Sequence, residues 1–113
     1  MLQTKRVYDK KSPRDGYRVL VDRLWPRGLS KEDAQVDIWL KEVSPSPGLR
    51  KWFAHDTKKF DEFARRYKKE LQENLSIVNR FKLLEKEYGT VTLLYAARDQ
   101  LHNNAAVLLS VLQ

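Results

Sequence analysis

The run Val91-Thr92-Leu93-Leu94-Tyr95-Ala96-Ala97 is apolar along almost its whole length and rich in β-branched and aromatic residues. Such a run suits a strand covered on both faces, as in a parallel sheet, and fits poorly in a sheet with one wet face. Tyr17 to Val21 has the same character. Parallel strands need long crossover connections, and the segment between these two runs contains several helical patterns. These runs predict a small three-layer α/β fold, with a mainly parallel sheet of about four strands flanked by helices. At 113 residues, the chain reads as one domain, residues 1–113.

The elements between the runs can be read in turn. Residues 4–9 predict a first short strand, and Ser30-Lys31-Glu32-Asp33 has capping-box spacing for one helical turn. Residues 36–40 alternate and predict a third strand with Val36, Ile38 and Leu40 on one face; a continued helix after Ser30 is the competing reading. Pro47 behind Ser46 fits an N1 proline after an N-cap serine, opening a helix through Leu49, Trp52 and Phe53. Asp56 or Thr57 caps the next helix, where Phe60, Phe63, Ala64, Tyr67 and Leu71 form an amphipathic stripe. Ile77, Phe81, Leu84 and Tyr88 form another stripe, stopped by Gly89. A last helix starts at about Asn103 or Asn104.

Both apolar runs end in dense polarity. Asp22-Arg23-Leu24-Trp25-Pro26-Arg27-Gly28 follows the first, and Arg98-Asp99-Gln100-Leu101-His102-Asn103-Asn104 follows the last. In open α/β sheets, ligands bind in the crevice beyond the carboxyl ends of the strands. If the two strands are parallel neighbours, Arg23, Trp25 and Arg27 face Arg98, Asp99 and His102 across one crevice. Guanidinium forks match carboxylate or phosphate in two contacts, and an indole offers a surface for a ring or sugar. The helix opening near Asn103 adds free N–H donors and a positive dipole end. Ser44, Arg50 and His55 would stand at the margin. The expected ligand is an anionic small molecule or something nucleotide-like. If there is chemistry, His102 or Asp99 takes the acid–base role, and hydrolysis or group transfer is the natural class.

Each residue also has a plainer role. Asp22 or Asp99 can pair with a neighbouring arginine to fix a loop, and Asn103 or Asn104 can cap a helix. Trp39 and Trp52 suit packing, His55 can interact with the carbonyls at a helix end, and the lysines of residues 58–69 suit a solvated face.

Charge leaves two further readings open. The formal charge is +7, and residues 1–28 hold eight basic residues against three acidic ones. That bias favours anionic partners, so a nucleic-acid-binding module is the first alternative, with solubility as the plain explanation. The second alternative is an interaction domain, monomer or homodimer, using the tryptophans and the loop of residues 44–48. There is no cysteine, which excludes thiolate metal sites and a cysteine nucleophile, and two histidines make no metal set. P-loop, G-x-G-x-x-G and G-x-S-x-G motifs are absent, so no cofactor is indicated. No apolar leader or membrane-spanning run is present, and the chain is expected to be cytoplasmic.

Three ordered segments carry a family resemblance: Arg18 through Gly28, Ser44-Pro45 through His55, and Leu94 through Asp99 with His102-Asn103. Together they resemble the YeaO-like family of uncharacterised bacterial proteins within DUF488, over nearly the whole chain. The resemblance implies a compact α/β fold and a cytoplasmic bacterial setting, and no established reaction. Some relatives carry a Cys-His-Arg run where Asn103-Asn104-Ala105 stand here, so cysteine chemistry does not transfer.

Overall fold

A computed structural model describes residues 1–113. Four strands, β1 (Leu2–Arg6), β2 (Tyr17–Leu20), β3 (Ile38–Trp39) and β4 (Val91–Tyr95), form one sheet in the order β1-β4-β2-β3. Every pairing is parallel. The two apolar runs therefore lie side by side at the centre, with Val19 opposite Leu93 and Leu20 opposite Leu94. Five helices complete the fold: α1 (Lys31–Ala34), α2 (Pro47–Phe53), α3 (Phe60–Gln72), α4 (Leu75–Tyr88) and α5 (Asn104–Leu112). No helix is long and apolar enough to cross a membrane.

The two faces of the sheet are covered unequally. Val19 and Val21 of the β2 segment, with Val91, Leu93 and Tyr95 of β4, point into the main core with residues of α2, α3, α4 and α5. Phe63, Tyr67 and Leu71 of the α3 stripe are buried there, each large side chain contributing roughly 1.5–3 kcal/mol of burial free energy. The Tyr67 hydroxyl donates to the Val43 carbonyl at 2.7 Å, and burial pushes its ionisation well above the usual tyrosine range. The opposite face holds only a small cluster of Val7, Leu20, Ala34 and Leu94, with Trp25, Leu29, Val36, Trp39 and Ala96 around it.

Local signals place the helices. Ser30 accepts from the Asp33 N–H, Ser46 from the Leu49 N–H and Asn103 from the Ala106 N–H, capping α1, α2 and α5. Asp56 caps a 3-10 turn over Thr57–Lys59 that runs into α3. Gly89 ends α4 at φ 82°, a conformation open to glycine.

Two expected strands are corrected. The first strand occupies Leu2–Arg6 and not residues 4–9, because its partner β4 fixes the register from Leu2 opposite Val91. The third is only Ile38–Trp39, and Val36 packs in the small cluster while Ile38 and Leu40 pack on the main core. The single-face alternation fails there because Gln35 takes a left-handed turn at φ 49°, reorienting the chain entering β3.

Arg18 sits inside β2 at 1% exposure, within a stretch read as apolar. Its guanidinium pairs with Asp15 and donates to the carbonyls of Ala34 and Gln35, each at 2.9 Å. Lys5 reaches the same carboxylate at 3.1 Å. Burial pushes the Asp15 carboxyl up, but the Ser12 N–H, Lys5 and Arg18 outweigh it and leave the group below its ordinary value. Part of the N-terminal basic excess is thus internal structure. Beside this cluster, Gly16 adopts φ 62°, and a Cβ there would lie 2.3 Å from the Thr90 carbonyl oxygen. Gly16→Ala should therefore lower stability by about 2 kcal/mol or more, read as a lower urea midpoint at unchanged slope. An unchanged midpoint would refute this account of the turn.

Candidate functional site

Because β2 and β4 are parallel neighbours, their carboxyl ends open on the same side of the sheet. The chain extensions beyond them are tied together. The Val21 N–H donates to the Leu94 carbonyl at 3.1 Å, and the Ala96 N–H donates to Asp22 Oδ2 at 2.9 Å. From the start of α5, Asn104 Nδ2 donates to the Val21 carbonyl at 3.2 Å. Arg6 braces the outer side, donating to the carbonyls of Ala96 and Ala97 at 3.2 and 2.9 Å.

A cleft of about 650 Å³ lies above these ties, within the range of small-molecule sites. Arg23, Trp25, Arg27, Ser44, Arg50, His55, Arg98, Asp99 and Asn103 all line it. The two polar clusters and the margin residues therefore share one space. None of Arg23, Arg27, Arg50 and Arg98 forms a salt bridge. Arg23 makes only long contacts to the Pro45 carbonyl, at 3.4 Å. The expected Asp22–Arg23 and Arg98–Asp99 loop pairings are absent. Phe53, Phe63, Pro26, Pro45, Ala96 and Ala97 supply apolar wall.

Other residues have their polar atoms engaged. Trp25 donates its indole N–H to the Leu29 carbonyl at 2.7 Å and meets Trp39 edge-on, which fixes its position in the wall. Trp39 itself donates to the Asp22 carbonyl at 2.7 Å. Asn103 is buried, accepting from Ala106 at 2.8 Å and donating to the Asp99 carbonyl at 2.9 Å, so it acts as the helix cap. Ser44 is buried and donates to the Lys41 carbonyl. Trp52 lies under Lys59 and Arg66, at 5.1 and 4.4 Å from its ring centre, away from the cleft lining.

His102 is not among the lining residues. Its ring packs edge-on against Phe60 at 5.0 Å, and its Nδ1 meets Asp99 Oδ2 at 2.8 Å. The other Asp99 oxygen accepts from the N–H groups of Leu101 and His102, each at 2.9 Å. These backbone donors, then the His102 ring, hold the Asp99 carboxyl below its ordinary value. The pair shapes the loop before α5. Through Asp99, which lines the cleft, His102 stands at its edge.

Two residues carry strain at the margin. Ala54 and His55 are consecutive left-handed positions, at φ 47° and 58°, a conformation costing on the order of 1 kcal/mol for each non-glycine residue. The turn brings His55 from the end of α2 to the cleft wall.

Asp22, Asn104 and Tyr8 line the cleft without having been chosen as site residues from the sequence. Asp22 had a legible signal: it is the first polar residue after an apolar strand, beside the switch point of the sheet. Burial raises its carboxyl above the ordinary value, while the Ala96 N–H, the Asn104 amide and nearby His55 pull the other way.

The comparisons with known proteins bear on the whole chain. The family model described as "Inactive DUF488-N3 subclade" matches residues 1–113. An uncharacterised Mycobacterium tuberculosis protein, Rv3073c, is 43% identical over 98% of this chain and 92% of its own length. The uncharacterised Escherichia coli protein YeaO is 43% identical over 95% of this chain and 92% of its own length. No solved structure matches.

The raised Asp22 ionisation has a definite linkage sign. Ionised Asp22 costs folded-state stability above its native pKa, and that cost vanishes once pH falls below the unfolded value of 3.8. Asp22→Asn should therefore be more stable than wild type near pH 7.5, with the gap closing on acidification toward pH 3.5. Denaturation midpoints across that range check this. A variant less stable at neutral pH by the same amount as at acid pH would contradict it.

Proposed function

This chain belongs to the inactive DUF488-N3 subclade, and on that premise we propose that its cleft binds a small anionic molecule without transforming it. The observation that carries the proposal is the set of four guanidiniums, from Arg23, Arg27, Arg50 and Arg98, that line one cleft without a carboxylate partner. Unpaired arginines gathered around a partly apolar space form charge-assisted, two-pronged contacts with phosphate or carboxylate. The start of α5 adds the positive end of a nine-residue helix on the same side.

Binding without turnover agrees with the polar groups in and beside the cleft. Asp99 is occupied by two backbone N–H groups and His102. No cysteine, serine or threonine nucleophile stands free at the cleft: Ser44, which lines it, is buried and donates to the Lys41 carbonyl. The family's description as inactive supports the same reading.

A thermal-shift screen with inorganic phosphate, nucleoside monophosphates and sugar phosphates tests the proposal. Selective binding stabilises the native state, by about 2.7 kcal/mol when ligand stands at 100 times Kd. At least one phosphorylated compound should raise the melting temperature, and Arg98→Ala and Arg27→Ala should each weaken that compound about tenfold. Absence of any shift across the panel, or shifts unchanged in both variants, would overturn the assignment.

A further inference from the structure

The cleft is not uniformly positive. Asp22, tied to Ala96 at the floor where the β2 and β4 extensions meet, lines it together with the four arginines. Its Oδ2 is taken by the Ala96 N–H at 2.9 Å, whereas its Oδ1 accepts no hydrogen bond of ordinary geometry, the Asn104 amide standing near enough only to favour the ionised form. No unpartnered side-chain oxygen of the protein is sealed from solvent, so Oδ1 of this half-buried residue is accessible, and Asp22 lines the cleft. The Asn104 amide spends one N–H on the Val21 carbonyl at 3.2 Å, and its approach to Asp22 leaves Oδ1 open to a ligand donor of better geometry. Neither Arg23 nor Arg98 neutralises the carboxylate.

A carboxylate oxygen in a cleft otherwise built for anions repels a bare anion. The same oxygen accepts a hydrogen bond from an N–H or O–H group, and a partly desolvated acceptor left unpaired by a ligand is costly. Sites built this way discriminate strongly against analogues that lack the donor.

We infer that Asp22 is the specificity-determining residue of the cleft: it selects anions that also present an N–H or O–H donor to the floor through Oδ1. A phosphate ester of a nucleoside or of a sugar has this shared chemistry, the donor coming from the base in one and from the hydroxyls in the other. A cleft of about 650 Å³ has room for either. The inference rests on the reading of the cleft as an anion site and adds the second end of the ligand. It also assigns a role to the one charged group on the floor that clamping an anion leaves unused.

Calorimetric titration of the full chain at pH 8 with guanosine 5′-monophosphate, ribose 5-phosphate and methyl phosphate tests it. All three are phosphate monoesters, and methyl phosphate as the dianion has no donor. Wild type should bind at least one of the first two about tenfold or more tighter than methyl phosphate. Preference for the nucleotide over ribose 5-phosphate would place the donor on the base, and equal affinity would place it on the sugar. In Asp22→Asn, the amide oxygen keeps the bond from the Ala96 N–H and the NH2 group replaces the free acceptor with a donor. The preference should then fall below about threefold, while methyl phosphate binds at least as well as to wild type.

Retention of the full preference in Asp22→Asn overturns the inference. So does equal binding of all three compounds by wild type; if Arg98→Ala then weakens all three, the anion site stands and only the role of Asp22 falls. Binding of none overturns both. A measurement on wild type covers the case of a variant that does not fold: a carboxyl ¹³C titration of Asp22 with the preferred ligand and with methyl phosphate. The phosphate charge raises the midpoint with any of the three compounds, whereas a donor at Oδ1 favours the ionised form, so the midpoint should lie lower with the preferred ligand than with methyl phosphate at saturation, and equal midpoints overturn the inference.

Discussion

The parallel pairing of β2 with β4 is the constraint on which the rest of this molecule depends. It places two strands with long intervening sequence at the centre of the sheet and brings their carboxyl ends to one edge. Beyond that edge, Asp22 receives the Ala96 N–H and Asn104 donates to the Val21 carbonyl, so the two loops are held across the gap by hydrogen bonds at both levels. These bonds satisfy backbone groups that lose their ladder partners where the strands diverge. They also fix the floor of the cleft. Arg6, reaching from β1 to the Ala96 and Ala97 carbonyls, secures the same loop from its other side.

The unequal covering of the sheet follows from how the polar residues are arranged. The main face is apolar along both central strands and takes four helices. On the other face, Arg18 and Thr92 stand beside Leu20 and Leu94, and the covering segment around Asp15 must meet them with charge and carbonyls. An ion pair buried in this way is weak support for stability in itself, but removing one partner from it is strongly destabilising. The Asp15–Arg18–Lys5 group therefore constrains how the segment before β2 can lie, and Gly16 is the residue that lets it approach Thr90.

Much of this was legible in the sequence, and the exceptions have physical causes. The caps at Ser30, Ser46 and Asn103 and the α3 stripe depend on local spacing, which the sequence carries directly. The convergence of the loops after the two apolar runs follows from one assumption, that those strands are neighbours, and the sheet order meets it. Residue 36 was misplaced because alternation fixes a face only in a strand that is already extended, and the left-handed Gln35 intervenes. Arg18 counts only toward the N-terminal basic excess until the carbonyls of Ala34 and Gln35 are known to surround it. His102, close in sequence to Arg98 and Asp99, is held beside the cleft by its bond to Asp99. Its ring rests on Phe60, a contact between distant segments that no local pattern encodes.

The proposed anion site is the set of cleft arginines and not the basic surface of α3. An arginine side-chain Nε–Hε spectrum recorded during titration with inorganic phosphate tests this most directly. Signals of Arg23, Arg27, Arg50 and Arg98 should shift together along one saturable curve, while Arg65 and Arg66, which are paired with Glu62, stay in place. Shifts confined to Arg65 and Arg66, or spread evenly over all arginines without saturation, would contradict it.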